Sequence, residues 1–443
     1  MPGPAVTPFQ SDERLPSHVD VVVIGGGIVG VSTALELAER GVSVLLCEKG
    51  EIGGEQSSRN WGWVRLSMRD PREIALMREA IRIWEGLDQR VGRATGYSRS
   101  GILFTTSTEK SYEEHARWAE NLEPHQVECR MISGAELDAR MPGHRVQTKG
   151  ALYTPVDGRA EPQWAAPAIA EGARDAGAVV MTKCAVRSVD VAAGRVAGVV
   201  TEKGRVACDR VVLAGGAWSR LFAGNAGVEL PQLKVLNTVM RSSPVEGGPE
   251  ASIWADDFAL RKRADGGYTV ANGSVNVVDI VPDSFRLARQ FWPSFRQEWR
   301  VLRFRLGARW REEAGYKRRW RPDEVTPFEQ MRVLDPVPSP RVRDAAWRDA
   351  QTAFPFLQSA QVVQSWAGLI DVTPDAIPVI SAVDDLPGLF IGTGFSGHGF
   401  GIGPGAGRLM ADLVMDRSPV VDPYDFRLSR FSDGSRIELL SGF

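Results

Sequence analysis

Cysteine is sparse: the chain has four in 443 residues, Cys47, Cys129, Cys184 and Cys208, with no paired spacing among them. That excludes a disulfide framework and a cysteine-based zinc site, and predicts buried reduced thiols. The five histidines lie far apart with no HExxH pair, and Ser396 sits in a glycine loop rather than a GxSxG context, so neither a metal site nor an activated serine is expected. Long hydrophobic runs are absent as well. The longest apolar-plus-glycine stretch, residues 21–31, falls short of the roughly 18 to 20 residues that span a bilayer. Residues 1–18 lack the basic start and apolar middle of a secretory signal, and their four prolines predict a disordered tail on a cytoplasmic protein. Charge of one sign is missing too. With 53 Lys plus Arg against 55 Asp plus Glu, the net −2 excludes a nucleic-acid binder. What remains, 43% hydrophobic and 24% charged residues with 46 glycines, describes a globular protein of one large or two to three ordinary domains.

Order is expected from residue 19, where DVVVI is an apolar run of strand length followed at once by three glycines. Residues 28–40 then carry apolar side chains at helical spacing, Gly41 stops the helix, and residues 42–47 form a second strand. This is the opening of a doubly wound sheet, whose ligand lies beyond the carboxyl end of the first strand. Further on, the pattern predicts helices at 72–91 and 161–175, strands at 101–106, 178–182 and 210–214, and hairpins pairing 185–191 with 195–201 and 258–263 with 267–271. A last strand at 389–391 runs through a glycine-rich turn into a helix at 401–415. The expected fold is α/β, with a Rossmann-like domain built from residues 19–70, 150–226 and 372–443. A mixed-sheet second domain of residues 71–149 and 227–371 is inserted in it, and carries a helical insertion at 283–325.

Gly25-x-Gly27-x-x-Gly30 lies between strand and helix, with Glu48 ending the second strand. Gly25 permits the tight turn, Gly27 the approach of a pyrophosphate, and Gly30 close helix–strand packing; the free N–H groups at Ile28 and Val29 and the helix dipole favour phosphate, and Glu48, beside Lys49, suits ribose hydroxyls.

Four segments carry a further resemblance: VVVIGGGIVGVSTALELAERG with Glu48, GGEQSSRNWG, VVLAGGAWS, and TPDAIPVISAV followed by GTGFSGHGFGIGPGAGRLMADLV. Together they resemble the D-amino-acid oxidase and glycine oxidase superfamily of FAD-dependent amine oxidoreductases. Within it, GEQSSRNWG and RVGRATGYSRSG are most similar to the bacterial membrane-associated L-amino-acid deaminases. The resemblance implies FAD, with Ser57, Ser58, Arg59, Asn60 and Trp61 along the pyrophosphate and flavin edge and Val186 near the adenine. It also implies Ala214, Gly215 and Trp218 under the second nucleotide loop, and backbone from Gly394, Gly397, His398, Gly399, Gly401 and Ile402 against the flavin. The implied reaction oxidises a C–N bond by hydride transfer to flavin N5, giving an imine that hydrolyses. It needs no strong protein base, so His398 is expected to offer its backbone or orient its neighbours. Sarcosine oxidases carry a flavin-linking cysteine where Gly368 stands here, so the FAD is expected to be non-covalent.

Substrate recognition departs from that pattern. Glycine oxidases carry Gly-Leu-Arg where this chain has Gly368-Leu369-Ile370-Asp371, so their carboxylate-binding arginine is missing. The deaminase resemblance offers Arg261, which alternation places on one hairpin face with Arg263; an exposed basic hairpin is the bland alternative. Asp371 is a candidate for meeting a cationic substrate group, capping a turn or pairing with an arginine. Trp61, Trp63, Trp254 and Trp366 are candidates for an aromatic cage, or for plain core packing.

Residues 285–321 hold twelve basic and three acidic side chains and nine of the chain's aromatics, a local +9 against −11 for the rest. Phe295, Trp299, Leu302, Leu306 and Trp310 recur at helical spacing after Pro293, predicting one basic amphipathic helix. It either packs on its own domain or docks on anionic lipid or a membrane electron acceptor. Oxygen and a quinone are both open as reoxidants. Secondary-amine oxidation, a non-catalytic nucleotide-binding subunit and a nicotinamide dehydrogenase are the rival readings.

Overall fold

The computed structural model describes residues 3–273, 275–300 and 302–440. Val21–Ile24, Val44–Cys47, Arg210–Leu213 and Leu389–Thr393 are almost wholly apolar because both their faces are covered, as in parallel sheets. With Val179–Met181 and Val379–Ala382 they make a six-stranded sheet, ordered 379–382, 389–393, 210–213, 21–24, 44–47, 179–181, parallel except at its first pair. Successive side chains part to opposite faces. Val21, Val23, Val44 and Leu46 meet a layer of four helices, Ile28–Ala38, Ile74–Val91, Pro162–Asp175 and Gly399–Val414. Val22, Ile24 and Leu45 meet the antiparallel strands Val186–Ala192 and Arg195–Thr201 and the helix Ser219–Asn225. The helix layer is tight: a Cβ on Gly405 would lie 2.7 Å from the Leu76 carbonyl oxygen.

The second domain centres on a larger mixed sheet in which Leu233–Ser242 pairs along Val362–Val372, Tyr268–Ala271 and the start of Asn276–Asp279. The expected hairpin is there, Ala259–Lys262 against Tyr268–Ala271, and the sheet continues through Ser252–Trp254 to Ile102–Thr106 and Gly150–Thr154. Two boundaries differ from the sequence reading. Helix Ile74–Val91 packs in the Rossmann-like layer, and Gly150–Thr154 is a strand of the larger sheet.

Two other expectations are corrected. Residues 3–18 are not disordered: they run along the first domain, Thr7 N donating to Gln163 O (3.0 Å), Asp12 N to Val180 O (2.9 Å) and Val180 N back to Asp12 Oδ2 (2.7 Å). Their prolines suit an extended edge segment that needs few donors. Nor is the insertion one helix. Helix Ala288–Glu298, with Pro293 inside it, is followed by strand Leu302–Arg305 and helix Ala308–Gly315. From Leu302 the pattern alternates every second residue, and the segment pairs with the open edge of Asn276–Asp279, where Arg305 reaches Asp279 at 2.7 Å. Among the described residues no helix is long and apolar enough to cross a membrane.

Candidate active site

A cavity of about 650 Å³ opens at the carboxyl end of Val21–Ile24 and runs to the larger sheet. Gly25, Gly27, Ile28, Val29, Glu48, Lys49, Val186, Ala214, Gly215 and Trp218 line its first part. Gly25 has a left-handed φ of 111°, and a Cβ on Gly30 would lie 2.0 Å from the Gly25 oxygen, so Gly30 makes the helix–strand contact without reaching the cavity. Glu48 accepts from Gly26 N and Gly50 N, both at 2.7 Å. Burial nevertheless raises its pKa against the pull of Lys49 and those amides.

The middle of the cavity is formed by Ser57, Arg59, Asn60 and Trp61 on one side and by Gly397, His398, Gly399 and Gly401 on the other. Ser57 Oγ accepts from Ile28 N at 2.8 Å, and Asn60 Oδ1 from Gly62 N at 2.8 Å. Arg59 turns its guanidinium away, to Asp335 and the Ala367 carbonyl. Ser58, Gly394 and Ile402 do not line the cavity. Ser58 Oγ bonds the Glu55 carbonyl (3.2 Å), Gly394 is the turn that reaches Asp371, and Ile402 is in the helix core.

The far end is aromatic. Trp61, Trp63, Trp254 and Phe104 pack with neighbouring ring centroids 5.1 to 6.1 Å apart. Most of these neighbours meet edge to face, so Trp61, Trp63 and Trp254 form one contiguous aromatic wall on the cavity. Trp366 is outside it: it is 1% exposed, with Nε1 donating to the Arg59 carbonyl at 3.0 Å.

The other two substrate candidates are also occupied. Arg261, 1% exposed, lies off the cavity with Nη1 on Glu161 at 2.8 Å and Nη2 on Thr269 at 3.1 Å. The hairpin face that alternation assigns it to is buried against the 160–161 segment. Asp371 lines the cavity, but its Oδ2 accepts from Gly394 N (2.7 Å), Thr393 Oγ1 (2.9 Å) and Gln232 Nε2 (2.9 Å), so it pins the glycine turn.

The sequence reading missed the segment after Trp63. Among the described residues the side chain of Arg65, 9% exposed, has one hydrogen bond, Nη1 to the Ser67 carbonyl, and no ion pair, and its guanidinium carbon lies 5.6 Å from the Phe104 ring centre. Burial, reinforced by Arg69, pulls its pKa down to about 9, Asp157 and Glu73 opposing. Behind it Arg69 donates to the Arg65 and His398 carbonyls, at 3.0 and 3.1 Å. The available signal was Arg65 itself, a charge set between Val64 and Leu66 in an otherwise apolar run.

Over residues 20–413 the chain matches the model of the FAD dependent oxidoreductase family, DAO. It belongs to that family. It is 34% identical to the L-amino acid deaminase of Proteus myxofaciens, solved in complex with anthranilate, and superposes on it with a TM-score of 0.94 over 98% of each chain. Over 91% of this chain and 96% of the relative it is 28% identical to a glycine oxidase of Pseudomonas aeruginosa. It is 26% identical, over 95% of its own length, to the 4-methylaminobutanoate oxidase (formaldehyde-forming) of Paenarthrobacter nicotinovorans, but spans only 47% of that protein. The family's cofactor fits the cavity on its chemistry. Gly27 and Val29, at the start of helix Ile28–Ala38, bring to the cavity main-chain N–H groups that the helix itself cannot satisfy, while Ile28 N is taken by Ser57 Oγ, and Glu48 retains acceptor capacity at the adenosine end.

Proposed function

We propose that the protein oxidises the C–N bond of an α-amino acid, or of its N-substituted analogue, and that Arg65 receives the substrate carboxylate. The observation that carries this is a buried, unpaired guanidinium facing a cavity beside an aromatic wall. Desolvated charge of that kind is costly until an anion meets it. The wall suits an apolar or aromatic side chain. Anthranilate, held by the Proteus myxofaciens enzyme, is a carboxylate beside an amine on an aromatic ring.

Gly25, Gly27, Ile28, Val29, Ser57, Asn60, Ala214 and Gly215 would hold the pyrophosphate and its surroundings, with Glu48 and Val186 at the adenosine. Lys49 and Trp218 would flank it, and Gly397, Gly399 and Gly401 would face the flavin ring. Bound FAD supplies the acceptor for an electron pair. Non-covalent binding is favoured by Gly368 at the position of the linking cysteine, since among the described residues the only cysteine lining the cavity is Cys47, beside Glu48. The substrate's C–H bond breaks with its electron pair leaving, the nitrogen lone pair closes the C=N bond, and water then releases a keto acid and ammonia or a smaller amine. The chain binds the carboxylate, dries the pocket and fixes the amine. Anaerobic mixing of the purified holoenzyme with D- and L-amino acids, their N-methyl forms and matching decarboxylated amines tests this. Carboxylated substrates are expected to bleach the flavin, and exclusive bleaching by the simple amines would refute the assignment. Admitting air or a quinone then identifies the reoxidant.

A second reading concerns location. Phe285, Trp292, Trp299 and Leu306 of the insertion are 55 to 70% exposed, and Arg289, Arg296, Arg300, Arg303 and Arg311 make no ion pair among the described residues. Apolar rings set among unpaired arginines suit peripheral contact with an anionic membrane. The protein is expected to sediment with anionic vesicles at low salt and be released at high salt; no binding at low salt would dismiss the lipid contact.

A further inference from the structure

Four buried polar atoms beside the cavity lack a hydrogen-bond partner: Arg69 Nη1, both carboxylate oxygens of Glu73, and His398 Nδ1. Buried polar atoms without a short hydrogen bond are rare in folded proteins, and these four face one another at longer ion-pair distance. Glu73 stands fully buried at the start of helix Ile74–Val91, its carboxylate 3.4 Å from His398 Nδ1 and 3.5 Å from Arg69 Nη1. Arg69 in turn holds the His398 carbonyl. Ring and main chain of His398 are thus fixed by two neighbours of one segment.

The charges follow from the surroundings. Burial pushes the Glu73 carboxyl up, but Arg69 and His398 outweigh it and hold the pKa below the ordinary value, so Glu73 is ionised. Burial drives the His398 imidazole down to about 4, Arg69 and Arg65 adding to the effect and Glu73 opposing it, so the ring is neutral. The remaining charge near this group, Asp157, is bonded to Leu66 N and Ser67 behind Arg65. A carboxylate facing a neutral imidazole nitrogen at 3.4 Å requires the hydrogen on that nitrogen, because two lone pairs would repel. Nε2 therefore keeps its lone pair. Among the described residues it has no hydrogen-bond partner, it is not one of the buried unpartnered atoms, and it belongs to a residue lining the cavity, so that lone pair opens on the cavity.

We infer that His398 Nε2 accepts a hydrogen bond from the N–H of the substrate's neutral amine, and that Glu73 is a positioning residue that fixes the imidazole tautomer. This rests on the proposed amine oxidation. Burial disfavours an ammonium ion at this point, which leaves the neutral amine, the form whose lone pair can close the C=N bond. As the C–H electron pair departs, positive charge grows on the nitrogen and its N–H becomes a stronger donor to Nε2. The contact is therefore worth more in the transition state than in the bound substrate. His398 accepts without taking the proton, which agrees with a reaction that needs no strong protein base.

Two measurements test the inference separately from the reaction. In the holoenzyme labelled with ¹⁵N-histidine, the His398 signal, assigned by its loss in His398→Gln, is expected to show the neutral Nδ1–H tautomer from pH 6 to 8. In Glu73→Gln it should become a mixture of tautomers. A neutral Nε2–H form or a charged ring in the wild type would overturn the inference, whether or not any substrate is found. Binding of anthranilate and of benzoate, read from the flavin absorbance, supplies the second arm. Anthranilate should bind more tightly by roughly tenfold, the worth of one hydrogen bond, an advantage kept in His398→Gln and lost in His398→Leu. An equal advantage in all three proteins would overturn the contact. Failure of both ligands to bind, with the tautomer as expected, would count against the proposed function while leaving the Glu73 role intact.

Discussion

Two buried arginines show how one residue type serves opposite ends. Arg261 is matched to Glu161, whose carboxyl burial alone would raise but which Arg261 holds below its ordinary pKa. The pair's stabilisation is therefore present at neutral pH and lost as acid protonates Glu161. Arg261→Leu would leave that carboxylate buried and unpaired, at a cost of about 3–5 kcal/mol, which chemical denaturation would record, with KM little changed in the folded protein. Arg65 has no such partner. Arg65→Leu is expected to leave stability unchanged or higher, while KM for a carboxylated substrate rises roughly 10- to 100-fold, the worth of a charge-assisted hydrogen bond of about 1.5–3 kcal/mol. Decarboxylated amines should be unaffected. Equal losses for both substrate types would remove Arg65 from carboxylate recognition.

At the scale of elements, what could be read in the sequence was what local spacing determines. The Gly25 to Glu48 unit, both hairpins and the closing helix follow from apolar period, glycine punctuation and strand length, which act within some thirty residues. The cavity's first part follows with them. What could not be read depends on long-range partners. Strand Leu302–Arg305 exists because an edge at Asn276–Asp279 is available to pair with, which no count over 295–310 reveals. Arg261 and Arg263 do alternate as expected, yet Glu161, a hundred residues earlier, decides that Arg261 is buried in an ion pair. Residues 3–18 look disordered by composition and are ordered by the 163–182 surface they cross. Arg65 and Glu73 were readable only as isolated charges; their meaning depends on Phe104 and His398 being brought to them.

Across the whole molecule, the segment between the insertion and helix Pro340–Ala353 closes over the nucleotide end of the cavity. Lys49 Nζ donates to the Met331 and Arg332 carbonyls, both at 3.0 Å, and Leu334 N to Glu55 at 2.9 Å. Arg332 pairs with Glu202, Asp335 with Arg59 and Glu329 with Arg187, while Phe328 lines the cavity from above. A Cβ on Gly50 would lie 2.2 Å from the Arg332 oxygen, so the strap rests directly on the loop after Glu48. A cofactor leaving past this strap would have to part these contacts together. Partly exposed ion pairs of this kind contribute about 0.2–1 kcal/mol each. Arg332→Ala combined with Asp335→Ala should therefore speed FAD release by roughly two- to thirtyfold, followed as recovery of flavin fluorescence on dilution. High salt should speed release in the wild type and much less in the double variant, because the screened pairs are already gone. Release equally fast in both proteins and indifferent to salt would show that the strap does not limit cofactor exchange.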